Sequence, residues 1–122
     1  MVEWRGLIRS FRYAFRGISS TFKREQTFRI QLIAALFVIA LMFVFPTSTW
    51  EKVALILVTI FVLILELINT IFERLSDILK PRIHDYVKEI KDIMAAAVLI
   101  ASIGALAVGI LIFSRFVIVL FK

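Results

Sequence analysis

The sequence predicts an all-α membrane protein: three transmembrane helices preceded by an amphipathic surface helix, in one domain over residues 1–122. Three observations predict it. Hydrophobic residues make up 61% of the chain and mean hydropathy is +0.98, more apolar surface than a soluble fold of this size hides. Apolar runs of crossing length alternate with charged or turn-forming stretches. Ahead of them, a line of arginines and a line of large apolar residues share one segment.

That segment, 4–22, is the surface helix. Trp4, Leu7, Ile8, Phe11, Phe15, Ile18 and Phe22 recur every three or four residues, while Arg5, Arg9, Arg12 and Arg16 keep to a narrow line of their own. An aromatic face beside a guanidinium face suits a membrane interface. The plainer alternative is a basic flank that orients the first span. Lys23-Arg24-Glu25 leads inward, with Arg29 the last charge before the bilayer.

The first crossing is 30–48. From Ile30 to Trp50 there are 21 uncharged positions, enough at about 1.5 Å per residue. Pro46-Thr47-Ser48-Thr49 is the turn and Trp50 an interface anchor. The run starts near residue 30 and lacks a small-residue cleavage site, so it reads as a retained span rather than a signal peptide.

The second crossing is 52–78. Its uncharged run from Val53 stops at Leu65, 13 residues and too short. Extension to Phe72 gives 20 residues and takes Glu66 inside. Glu66, Asn69, Glu73 and Asp77 stand at i, i+3, i+7 and i+11, a stripe about 80° wide on one helix face. Glu66 lies about 10 Å deeper than Glu73. An ionisable group at that depth is costly and is a functional candidate by default.

Residues 74–91 read as a charged connection, with Pro81 ending or bending the second helix. The third crossing is 91–115: Ile93 to Ser114 is 22 uncharged residues closing at Arg115, and Ala95-Ala96-Ala97 admits a close neighbour. Lys and Arg number seven in 1–29 and five in 74–91, against one in 46–52 and two after 114. This asymmetry puts the N-terminus and the 74–91 connection in the cytoplasm. Glu25, Glu73, Asp77, His84, Lys91 and Asp92 then share the side that holds ATP and magnesium.

Net charge is +6. Beside long apolar runs, anionic lipid headgroups are a simpler partner for it than nucleic acid. With no cysteine, thiol and disulfide chemistry are excluded. The four glycines (Gly6, Gly17, Gly104, Gly109) form neither a Walker A loop nor a G-x-G-x-x-G. Any nucleotide is therefore held by metal, Lys91 and arginines. Clustered carboxylates with a lysine close by suit magnesium and phosphate, and phosphoryl transfer needs little more than positioning, charge neutralisation and a base for the attacking hydroxyl. Glu66, near the depth of a lipid hydroxyl, suits the last task.

The run Glu66-Leu67-Ile68-Asn69-Thr70, then Glu73, Asp77, His84 and Lys91-Asp92 followed by Ala95-Ala96-Ala97-Val98, resembles the signature of the small prokaryotic diacylglycerol kinase family, which includes the undecaprenol kinases. Gly17 and Arg24-Glu25-Gln26-Thr27-Phe28-Arg29 are similar to its second block, and the resemblance covers about residues 4–115. It implies a homotrimeric, three-span kinase of a bacterial inner membrane, with active sites shared between subunits and facing the cytoplasm. Its substrates would be ATP and a membrane lipid alcohol, with Mg2+ as cofactor. Diacylglycerol is the first expectation for the lipid and undecaprenol the second, since both enter laterally from the bilayer.

By the same resemblance Glu66 is the general base, and Glu25 and Glu73 hold Mg2+ with the ATP phosphates. Lys91 contacts phosphate, Tyr13, His84 and Asp92 help bind nucleotide, and Asn69 and Asp77 complete the polar stripe. Gly6 stands where some members carry a ligand-binding arginine.

Each residue also has a structural reading. Glu66 alone is a buried carboxylate bonded to a neighbouring helix, and Asn69 and Asp77 are structural hydrogen bonds or helix-end groups. His84 is a loop histidine, Lys91 a snorkelling anchor, and Tyr13 an ordinary interfacial aromatic. Two other classes stay open. An ion- or proton-conducting subunit predicts a lone carboxylate amid glycine-rich helices, whereas the second span has no glycine. A degenerate, non-catalytic membrane protein is opposed by the joint presence of Glu25, Glu66, Glu73, Lys91 and Asp92.

Overall fold

The computed structural model describes residues 1–79 and 84–122; Pro81, expected to end or bend the second span, and the side chain of His84 lie outside the described residues. The described residues are all-α. The helices are α1 (Trp4–Arg24), α2 (Gln26–Val44), α3 (Thr49–Leu79) and α4 (His84–Leu120). Three of them are long and apolar enough to cross a membrane: Gln26–Val44, Thr49–Leu79 and Asp85–Leu120.

One residue separates α1 from α2. Glu25 is extended (φ −109°, ψ 109°), its N–H donates to the Thr21 carbonyl at 2.8 Å, and its carbonyl accepts from the Arg29 N–H at 3.2 Å. The Arg29 side chain reaches back across this elbow. Its Nη1 donates to the carbonyls of Phe22 at 2.8 Å and Lys23 at 3.1 Å, two of the acceptors that a helix C-terminus leaves without intrahelical partners.

The turn between α2 and α3 is closed by side chains. The Thr47 hydroxyl donates to the Met42 carbonyl at 3.0 Å. The Ser48 N–H donates to Glu51 Oε1 at 2.8 Å, and the Glu51 N–H donates to Ser48 Oγ at 3.2 Å, a reciprocal capping box that starts α3. Glu51 also receives the guanidinium of Arg115, which joins the first turn of α3 to the last turns of α4.

The core is small and sits at this end. Met42, Leu55 and Ile112 are its buried members, with Val38, Ala54, Val108, Phe113 and Phe116 against them. Phe45 stacks on Phe116 with ring centroids 5.3 Å apart. α3 and α4 pack against each other most extensively, α2 against α3 less so. Much of the remaining apolar surface is exposed on a single chain, including Phe37, Phe43, Ile100 and Leu111.

Within the charged connection 74–91, the described residues 74–79 and 84–91 are helical. α3 continues through Leu79 and α4 starts at His84. At 31 and 37 residues these helices measure about 46 and 55 Å, longer than the roughly 30 Å hydrocarbon core, so several charged turns project beyond it.

Candidate active site

The buried face of α3 carries Leu55, Val62, Glu66, Thr70 and Ser76. The spacings of seven, four and four from Leu55 to Thr70 keep these residues on one helix face. Glu66 is on it for the same reason its apolar neighbours are: this face meets other helices. It is 2% exposed, and its Oε2 has no hydrogen-bond partner among the described residues. An orphaned acceptor of this kind costs about 1–3 kcal/mol, more when charged, so it calls for a donor or a cation.

The polar stripe continues toward the charged end. Asn69 Nδ2 donates to Glu73 Oε1 at 3.4 Å, and the same side chain stands close enough to Glu66 to act on its carboxylate as a donor. The Thr70 hydroxyl donates to the Glu66 carbonyl at 3.0 Å. The charge of Glu73 acts on Glu66, and that of Glu25 does so from the α1–α2 elbow. Both Glu25 and Glu73 are half-buried. Further along, Lys91 Nζ of α4 meets Asp77 Oδ1 at 3.5 Å.

The structure therefore lines up Glu66, Asn69 and Glu73 on α3, with Glu25 near enough for its charge to act on Glu66, and joins Asp77 to Lys91. Tyr13 is elsewhere: it is 57% exposed on α1, with the Arg16 guanidinium 5.6 Å from its ring centroid. Asp92 is exposed on α4. A groove of about 660 Å³ along α2 and α4, lined by Val38, Ala105, Gly109 and Phe113 among others, holds none of these carboxylates.

Among the described residues no group of three or more His, Asp or Glu side chains forms a ready metal cage. Glu25 and Glu73 still fit a hard cation of the magnesium type, which takes one or two carboxylates and fills its remaining positions with phosphate and water. The electrostatics agree: two carboxylates acting on a third, buried one with an orphaned oxygen make a site that a cation or a hydroxyl donor relieves.

Two features escape sequence reasoning. The Arg29 clamp joins residues six and seven apart across a helix break that no glycine or proline marks. The bond from Gln31 Nε2 to Ser102 Oγ at 3.4 Å joins α2 to α4 and has no local signal. Thr70 was findable, since it lies one turn beyond Glu66 on the same face.

The prokaryotic diacylglycerol kinase family model matches residues 12–113. Among characterised proteins the chain is 36% identical over 104 residues to a diacylglycerol kinase of Synechocystis, covering 84% of this chain and 59% of that protein. It is 32% identical over 111 residues to an undecaprenol kinase of Bacillus subtilis, covering 91% and 90%. It is 33% identical over 109 residues to a diacylglycerol kinase of Haemophilus influenzae, covering 88% and 92%.

Proposed function

The chain belongs to the prokaryotic diacylglycerol kinase family, and from that membership we propose that this membrane-spanning lipid kinase transfers the γ-phosphate of ATP, with Mg2+, to the hydroxyl of diacylglycerol, giving phosphatidic acid. The observation that carries the proposal is the buried carboxylate of Glu66, with its orphaned Oε2, in line with Asn69 and Glu73 and within the field of Glu25.

Glu66 accepts the proton of the lipid hydroxyl as that oxygen attacks phosphorus. Its burial keeps bulk water from competing for the carboxylate, and its depth matches an alcohol that remains in the bilayer. Asn69 holds the Glu66 and Glu73 side chains in a fixed mutual arrangement. Glu25 and Glu73 would hold Mg2+, which would supply charge neutralisation at the ATP phosphates. Lys91 contacts phosphate after exchanging its Asp77 partner, and Tyr13, His84 and Asp92 complete nucleotide binding. In a single chain Tyr13 and Asp92 are exposed, which supports sites shared between subunits of a homotrimer.

The distribution of lysine and arginine supports a bacterial inner membrane with the N-terminus and the site facing the cytoplasm. It also supports α1 lying on the membrane surface, Arg5, Arg9, Arg12 and Arg16 toward headgroups and Trp4, Phe11 and Phe15 toward the acyl boundary. Undecaprenol as the lipid is the second reading, favoured by the Bacillus subtilis relative matched over 90% of its length.

The test is ATP turnover in mixed micelles with each lipid supplied separately, for wild type and Glu66→Gln. Turnover with diacylglycerol that Glu66→Gln abolishes is the expected result. Turnover with undecaprenol alone moves the assignment to the second reading, and turnover with neither removes it.

A further inference from the structure

We infer that Arg29 is a positioning residue for the phosphoryl-transfer site: by tying the end of α1 to the start of α2, it fixes the elbow that carries Glu25 and so sets where Glu25 stands relative to Glu66. The inference rests on the reading that Glu25 belongs to the active site.

Glu25 occupies an unusual place for a charged site residue. It is the single non-helical residue between two helices of 21 and 19 residues, so any change in its φ or ψ swings α1 and its own side chain together. The Glu25 side chain does not cap the start of α2. The backbone bonds from Glu25 to Thr21 and from Arg29 to Glu25 are compatible with a range of elbow angles, since each is local to one helix. The two bonds from Arg29 Nη1 to the Phe22 and Lys23 carbonyls, at 2.8 and 3.1 Å, are different: they start on α2 and end on α1. They also satisfy carbonyls that would otherwise compete for other donors at the elbow.

The charges of Glu73 and, more weakly, Glu25 act on Glu66, so the elbow angle sets how near Glu25 comes to the buried acid. Glu73 and Glu66 are fixed on the rigid α3. Glu25 alone among the three sits on a hinge. A guanidinium is well matched to the task, because its planar fork donates to two carbonyls at once and it stays charged at all working pH values. Thr21, on the α1 side of the same elbow, is buried, and its hydroxyl donates to the Gly17 carbonyl at 2.9 Å.

The test combines an elbow readout in the apo enzyme with a cation readout in turnover. In full-length protein in nanodiscs, without nucleotide or Mg2+, hydrogen exchange of the peptide covering residues 21–29 should speed up about tenfold in Arg29→Ala, while peptides from α3 keep wild-type protection. In turnover, Arg29→Ala should raise the Mg2+ concentration giving half-maximal rate about tenfold and leave the KM for the lipid unchanged. Arg29→Lys, which keeps a donor on a shorter reach, should recover part of both effects. With Glu25→Gln as background, Arg29→Ala should add no further change in Mg2+ dependence, because the residue it positions is already disabled.

Wild-type exchange over residues 21–29 together with a wild-type Mg2+ requirement in Arg29→Ala overturns the inference. So does an Arg29→Ala effect that persists undiminished on the Glu25→Gln background. Should Arg29→Ala not fold, Arg29→Lys and Arg29→Gln carry the same comparison. If Glu25→Gln itself keeps wild-type turnover and Mg2+ dependence, the placement of Glu25 in the active site fails instead, and the exchange result still reports whether the clamp exists.

Discussion

The Asn69 amide stands between two acids, donating to Glu73 at 3.4 Å while facing the buried Glu66 one turn away on the same helix. A neutral donor there shields two like charges and fixes their spacing.

Replacing Asn69 by Leu removes that donor while keeping the branched shape of the side chain. Lipid kinase turnover is expected to fall by about 10²-fold or more, in keeping with the loss of a positioned proton acceptor. Circular dichroism should show unchanged helix content. Retained turnover in Asn69→Leu would mean that the amide does not organise the acids.

Glu66→Gln should disable chemistry without harming the fold. It replaces a buried acid lying near two others by a neutral amide of the same shape, which removes repulsion and leaves the α3 packing intact. The expected outcome is a thermal midpoint in detergent equal to or above wild type, alongside lost turnover. A midpoint well below wild type would assign Glu66 a structural role.

At the other end of α3, Glu51 serves as capping residue and ion-pair partner of Arg115. Glu51→Ala should lower the thermal midpoint through the lost cap and the lost pair. Turnover per folded enzyme should not change, because Glu51 lies fifteen residues, about 22 Å, from Glu66 along the helix. Denaturation in mixed micelles with a parallel rate assay checks both parts.

Leu55 is 2% exposed in the small core between α2, α3 and α4. Leu55→Ala should destabilise by about 2–5 kcal/mol. Ile100→Ala, at a position 71% exposed on the single chain, should cost far less if that face meets lipid. A large loss at Ile100 would identify it as a subunit contact.

The membrane-crossing helices were legible because uncharged runs report the solvent they face, and Glu66, Asn69 and Glu73 were legible because helical spacing reports a shared face. Helix ends were not. Residues 74–79 and 84–91 read as connection since hydropathy drops there, yet Glu73, Arg74, Leu75 and Lys88, Glu89 and Lys91 are good helix formers, and charge outside a bilayer does not stop a helix. The elbow at Glu25 was hidden for the opposite reason: no glycine or proline announces it, and what fixes it is a long-range reach by Arg29, read from sequence only as the last charge before the bilayer. Exposed Tyr13 and Asp92 carry no local pattern that would place them beside the acids.

α3 and α4 are joined near both ends of their contact, Glu51 to Arg115 at one and Asp77 to Lys91 at the other. A piston-like slide of one past the other would break both links and unseat Leu55 from Ile112 at the same stroke. The register of the pair is thus set at both ends and in the middle at once, whereas α2 is tied to α3 and α4 by fewer contacts.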